Sequence, residues 1–316
     1  MFGRDHHPRH KNAIPFKYCA TFLIYLLTFA MPGADPIQLL AGEKKADPLV
    51  AAMLREKYHL DDPFLLQYWN YITGVFQGDF GETLSGRKVL DMITEAFPYT
   101  MNLAIVAFVI EAIVGVVAGI MAALRRGKFI DQLVLISTLL VISIPVFVTG
   151  FVLQLTLGVK LKNEWGIDFF SPSFNEADGF RAYLLPAFVL ASTSLAYVAR
   201  LTRTSLMETM RADYVRTATA KGLPRRRVVV NHGLRNAMIP IVTFLGADLG
   251  GLMGGAVITE RIFNIHGVGG LLAKSVYLKE GAVVVGGVTL LVLVYLIANL
   301  IVDLLYAVLD PRIRYA

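Results

Sequence analysis

A single cysteine, Cys19, stands in 316 residues, inside an apolar segment. One thiol allows no intrachain disulfide and no multi-cysteine metal site, and it reports nothing about redox compartment. Charge is scarce as well. Asp, Glu, Lys and Arg make up 17% of the chain against 55% hydrophobic residues, with a mean hydropathy of +0.58. That balance is too apolar for an ordinary soluble domain of this length and suits a bilayer.

Catalytic patterns are missing too. There is no nucleophile elbow, no zinc-binding pair of histidines at helical spacing, and no paired carboxylates on one helix face. Gly81, Gly86 and Lys88 have a superficial likeness to a phosphate-binding loop, but Arg87 stands at the lysine position and Lys88 at the hydroxyl position. No ATPase is read from this chain, and no enzyme.

What is present is a set of long apolar runs. Six of them are long enough to cross a hydrocarbon core about 30 Å thick at 1.5 Å per residue. They lie near Ile14–Met31, Thr100–Leu124, Leu133–Val159, Ala182–Ala199, Ala237–Ile258 and Ala282–Val308. The sequence therefore predicts an all-α membrane protein of six transmembrane helices. An even number of crossings puts both termini on one side, and the basic residues of the short loops choose the cytoplasmic side. On that choice the inside holds 18 Lys/Arg and 5 Asp/Glu, a net +13, and the outside 12 and 16, a net −4. The basic balance is read as membrane topology and not as nucleic-acid binding.

The first run also has signal-peptide length, with Thr28 and Ala30 offering a weak cleavage pattern. It is read as a retained span. Before it, His6, His7 and His10 are read as a solvated tail without a metal site. Three regions follow: residues 1–31 as tail and first helix, 32–98 as an extracytoplasmic cap, and 99–316 as a five-helix core. The cap has a helix-like stretch at Pro48–Tyr58.

Small residues repeat at helical spacing. Gly246, Gly250 and Gly254, with Gly251 and Gly255 beside them, and Gly115 with Gly119, predict faces on which helices approach closely, whether statically or sliding during gating. Leu252 is expected to face lipid. Pro145 and Pro240 are expected to kink helices or to sit near their ends. Glu111, Asp248 and Asp303 lie within the apolar runs, where charge is costly, so each is expected to meet protein interior, water, a polar partner or an interface, or to carry a proton.

The longest internal loop, 206–236, reads LMETMRADYVRTATAKGLPRRRVVVNHGLRN. A helix is expected over Glu208–Ala220, stopped by Gly222 and Pro224. Ala218 and Gly222 would give its end a small face able to seat in a groove of another protein.

This loop carries a resemblance. YVRTATAKGL followed by NHGLRNAMIP resembles the ATPase-docking segment of the permease subunits of bacterial ABC importers for dipeptides and oligopeptides. The likeness runs over nearly the whole chain, through PGADP at 32–36, YHLDDPFLLQYWNYITGVFQGDFG at 58–81, TERIFNIHGVGGLL at 259–272 and VDLLYAVLDPRIRY at 302–315. The cap favours the first of the two permease types in such importers. Arg216 stands where other importers have glutamate and Thr217 where they have alanine, so the glutamate-based contact of those importers does not transfer. His266 sits where relatives often carry proline.

The resemblance implies a type I ABC importer, or MetI-like, permease core in the bacterial cytoplasmic membrane. It implies a second homologous permease, two cytoplasmic ATP-binding subunits that hold ATP and Mg, and an extracytoplasmic solute-binding protein; the chain itself would hold no cofactor. Coupling to the ATPases is expected at Arg211, Asp213, Tyr214, Arg216, Thr217, Ala218, Ala220, Lys221, Gly222 and Leu223. Gate and binding-protein contacts are expected at Thr259, Glu260, Phe263, Asn264, Gly267 and Gly269. Peptides are the expected cargo, with glutathione or nickel complexes as alternatives on the same architecture. A stand-alone secondary carrier is the rival of another class, supported only by the three intramembrane acids.

Overall fold

The computed structural model describes Phe22, Tyr25, Leu26 and residues 48–57, 61–83, 85–278 and 280–309. The expected first span falls almost wholly outside these, as do Cys19, the histidine tail, PGADP and the DPRIRY ending; Asp303 is described in its backbone only. Among the described residues the structure is helical, with one isolated β-bridge between Glu82 and Lys88.

Among the described residues four helices are long and apolar enough to cross a membrane: α3 over Val89–Leu124, α6 over Arg181–Thr209, α8 over Arg225–Phe263, and α10, whose qualifying part is Gly281–Ala298 of Gly281–Leu309. Shorter helices are α1, Pro48–Lys57, and α2, Phe64–Phe76. The 36 residues of α3 measure about 54 Å, well beyond the hydrocarbon thickness. It therefore begins well before the expected Thr100.

The expected third span is broken. α4, Phe129–Ser143, and α5, Val146–Trp165, meet at a 105° bend. Pro145 lies in the break with φ −56° and ψ 138°. Proline has no N–H to give the previous turn, and it drives the residue before it out of the helical region; Ile144 is accordingly extended. Pro98, Pro186 and Pro240, by contrast, lie inside continuous helices.

By packing, the chain forms two compact units. One combines the described residues up to Pro98 with Gly270–Val294. There Val89 and Ile93 are fully buried, and Gly286 lets α10 approach closely, since a Cβ would come within 2.7 Å of Val89 and 3.0 Å of the Phe80 carbonyl. The Tyr71 hydroxyl donates to Thr289 Oγ1 at 2.9 Å, and burial raises its pKa, so it stays a donor. Gly81 and Gly86 both have positive φ, at 91° and 77°, so the glycines of the loop look-alike serve a tight turn.

The second unit is Tyr99–Gly269 with the described residues from Tyr295 onward. Its centre is α6, buried along Ala182–Ala199 and packed by α3 and α8; Val198, Ile241 and Leu245 form one core cluster. Gly115 and Gly119 allow that packing. A Cβ on Gly119 would lie 2.5 Å from the Ala199 carbonyl and 2.5 Å from Thr202 Cβ.

Candidate functional site

The segment expected to couple begins where α6 stops at Thr209. The expected single helix from Glu208 to Ala220 is two pieces. Ala212 takes extended angles, φ −67° and ψ 149°, and α7 restarts at Asp213 and runs to Ala220. The turn lets the apolar stripe of α7 reach its own chain: Val215, Ala218 and Val228 are buried together, with Met210 and Leu223 against them.

α7 is well terminated. Asp213 sits in its first turn, where a carboxylate suits the helix dipole. At the other end Gly222 has φ 76° and its N–H bonds the Thr219 carbonyl at 3.0 Å, a left-handed stop. The Asn236 amide donates to the Tyr214 hydroxyl at 3.0 Å, tying α7 to the start of α8. A close approach also occurs at Gly233, where a Cβ would lie 2.7 Å from Met210 Sδ.

These contacts correct one expectation. Ala218 was expected to share an outward face with Gly222, but only 5% of it is exposed because it packs on Val215 and Val228. The exposed residues are Arg211, Asp213, Tyr214, Arg216, Thr217, Ala220, Lys221 and Gly222, with Leu223 half-buried. Arg216 reaches Asp213 at 3.5 Å, but both side chains are so exposed that the pair contributes little and leaves them available.

The expected gate lies where α8 ends at Phe263. Asn264 has φ 55°, the Ile265 N–H bonds the Glu260 carbonyl at 2.8 Å, and α9, Val268–Tyr277, begins three residues later. The Glu260 carboxylate organises this turn. Thr100 Oγ1 donates to it at 2.6 Å and accepts from the Val268 N–H at 2.8 Å. Gly267 and Gly269 leave it room: a Cβ on Gly267 would lie 2.4 Å from the Glu260 Cδ, and one on Gly269 would lie 2.5 Å from Val257 Cα.

Most of the residues expected at the gate face the interior of this chain. Thr259, Glu260, Phe263, Gly267 and Gly269 are buried, and of the six residues only Asn264 is exposed. The Glu260 carboxylate, expected among the gate and binding-protein contacts, holds the turn within this chain. His266 is exposed, edge-on to Tyr99 at 6.3 Å and Phe174 at 6.5 Å. The Phe174 N–H bonds the Phe263 carbonyl at 2.7 Å.

Among the packing glycines, Gly250 admits Tyr295, whose Cδ2 would stand 2.5 Å from a Cβ, whereas a Cβ on Gly254 would meet nothing within 4 Å; Gly246 is half-buried. Leu252, expected to face lipid, is 3% exposed, because it lies on the core side of α8. Glu111 is fully buried on a π-helical turn, Glu111–Gly115, beside Asp248 and Ser194.

One pair escaped the sequence reading. Asp131, 2% exposed at the start of α4, accepts from Arg203 of α6 at 2.5 and 2.9 Å and from the Gly127 N–H at 2.8 Å. The sequence offered no signal of it, because both residues lie just outside the runs Leu133–Val159 and Ala182–Ala199, among the loop charges. Among the described residues no group of His, Cys, Asp and Glu is arranged to hold a metal ion.

Two family descriptions match the chain. "Binding-protein-dependent transport system inner membrane component" covers residues 115–315, and the N-terminal part of the same membrane component covers residues 9–104. The glutathione transport system permease protein GsiC of Escherichia coli (strain K12) is 39% identical over 303 residues, spanning 96% of each chain, and that of Salmonella typhimurium (strain LT2) matches to the same extent. The chain belongs to the inner-membrane permease family of binding-protein-dependent ABC importers.

Proposed function

We propose that this chain forms, with a second homologous permease, the translocation path for ATP-driven import of short peptides, glutathione among them, delivered by an extracytoplasmic solute-binding protein. ATP and Mg are held by two separate ATP-binding subunits, and both termini face the cytoplasm. The observation that carries the reading is end-to-end similarity to glutathione permeases, 39% identity over 96% of both chains. The exposed side of α7 is the surface on which the ATPases would pull, and the Thr259–Gly270 turn the element whose movement would open the outer path. A protein that works alone would need its own coupling ion, whereas this reading places the energy source on partners.

Reconstitution tests it. The permease pair, the ATPases and the binding protein are placed in proteoliposomes and uptake of radiolabelled glutathione and alanyl-alanine is followed. ATP-dependent uptake that requires the binding protein is expected for at least one of them. Uptake without ATP or without the partners would establish a secondary carrier instead.

A further inference from the structure

An open pocket of about 500 Å³ lies in the second unit, where the Tyr99–Val106 stretch of the long helix α3 faces the loop before α6. Its size is that of a small-molecule site. Tyr99 and Asn102 of α3, Phe174 and Glu176 of the loop, and Phe180 and Tyr183 beside and within α6 line it. The rings are arranged edge to face, Phe174 at 5.8 Å from Tyr99 and 5.0 Å from Tyr183. His266 of the candidate gate turn rests against two of the same rings.

The chemistry of this lining is one-sided. Among the described residues that form it, Glu176 alone is charged and none is basic. Its carboxylate accepts from the Tyr99 hydroxyl, which orients it and leaves most of its lone-pair positions unused. The nearby Arg181 is engaged elsewhere, donating to the Asp168 carbonyl at 2.6 Å with its guanidinium 5.3 Å over Phe169. Asp178 is likewise bound, by Ser171 at 2.5 Å. A carboxylate among aromatic faces is the environment that selects an organic ammonium, through a charge-assisted hydrogen bond and cation–π attraction.

We infer that this pocket receives the amino-terminal ammonium group of the transported peptide as it enters the membrane subunit. The inference rests on the peptide-import reading and deepens it: part of the selection for a free amino end lies in the permease itself. Glu176 binds the ammonium, Tyr99 positions Glu176, and the aromatic wall holds the first residue. The contact of His266 with that wall places the pocket beside the turn whose movement would admit or release the peptide.

The test uses the complete complex, without binding protein, in lipid nanodiscs. Binding of tritiated alanyl-alanine is compared with that of its N-acetylated form, which has the same backbone and no ammonium. The wild type is expected to favour the free amine by about tenfold, and Glu176→Gln, which keeps an acceptor for Tyr99, to abolish the preference by weakening the free amine alone. Phe180→Ala is expected to weaken both probes. Equal binding of the two probes by the wild type, or an unchanged preference in Glu176→Gln, would overturn the inference. So would a cysteine at position 180 that cross-links to the second permease and is not displaced by peptide, since the pocket would then be a subunit contact. ATP-driven uptake of alanyl-alanine by the full reconstituted system is measured alongside. Normal uptake with no amine preference removes the pocket alone, whereas absent uptake removes the peptide-import reading and the pocket with it.

Discussion

Thr100 and Glu260 are 160 residues apart in the chain and share a 2.6 Å hydrogen bond with both side chains fully out of solvent. The same hydroxyl accepts the Val268 N–H, so one oxygen joins the start of one span, the end of another and the turn between α8 and α9. Thr100→Val keeps the shape and removes both bonds, at a cost of about 1–3 kcal/mol. The purified complex is expected to melt several degrees lower, and Thr100→Ser to restore it. Identical melting of Thr100→Val and wild type would show that the bond carries no stability.

Gly269→Ala should be far more damaging than Gly254→Ala. The first puts a methyl 2.5 Å from the Val257 backbone and 2.9 Å from Glu260 Oε2, while the second meets nothing within 4 Å. Backbone cannot step aside as a flexible side chain can, so Gly269→Ala is expected to lower the yield of folded complex severalfold, with Gly254→Ala near wild type. Immunoblots of membranes and gel filtration of the complex read this directly, and equal yields would refute it.

The Asp131–Arg203 pair predicts a double-mutant signature. Asp131→Ala leaves the Arg203 guanidinium without its partner, at a cost on the order of 3 kcal/mol. Adding Arg203→Met removes the stranded charge and is expected to recover much of that loss. Thermal denaturation of the four complexes gives the coupling. Simple additivity of the two changes would mean that the ion pair is incidental.

At Gly222 the structure separates two causes that sequence alone merges. The residue has φ 76°, yet a Cβ would meet nothing within 4 Å. Strain is therefore the first cost of substitution. Gly222→Asn, which tolerates left-handed angles, should keep most ATPase stimulation by the loaded binding protein, whereas Gly222→Val should reduce it severalfold at normal membrane abundance. Arg226→Ala is the control for disturbing charge in the same loop. Full stimulation in Gly222→Val would show that this segment does not couple.

Topology is checked by labelling. In a Cys19→Ser background, a cysteine at Asp178 is expected to react with an impermeant maleimide on intact spheroplasts, and one at Arg226 only after lysis. The charge split of +13 against −4 sets the direction. External reaction at position 226 would invert the arrangement.

The spans that lie within the described residues were readable because a long apolar run has one stable fate in a bilayer, a helix that satisfies its own backbone. Pro145 announced a disturbance but not a 105° bend, since the angle depends on what α4 and α5 pack against. The site was less readable than the spans. Ala218 looked outward because its small-residue spacing with Gly222 was visible, whereas its contact with Val228 depends on the chain doubling back through Pro224. Glu260 was expected at the gate with no internal partner named, because nothing local betrays one at Thr100. The aromatic pocket was hidden for the same reason, its lining being drawn from residues 99 to 183.

The ion pair between Asp131 and Arg203 also sets an order of assembly. Asp131 leaves the ribosome 72 residues ahead of its partner, an interval of roughly 4–14 s at about 5–20 residues per second. During that time the α4 helix enters the membrane with its carboxylate supported by the Gly127 N–H but without the arginine. Only when α6 has been made can the bidentate pair close, so α4 docks on a neighbour synthesised after it. A nascent chain stalled between the two residues would hold α4 against the end of α3 alone, with the Asp131 carboxylate still waiting for its arginine.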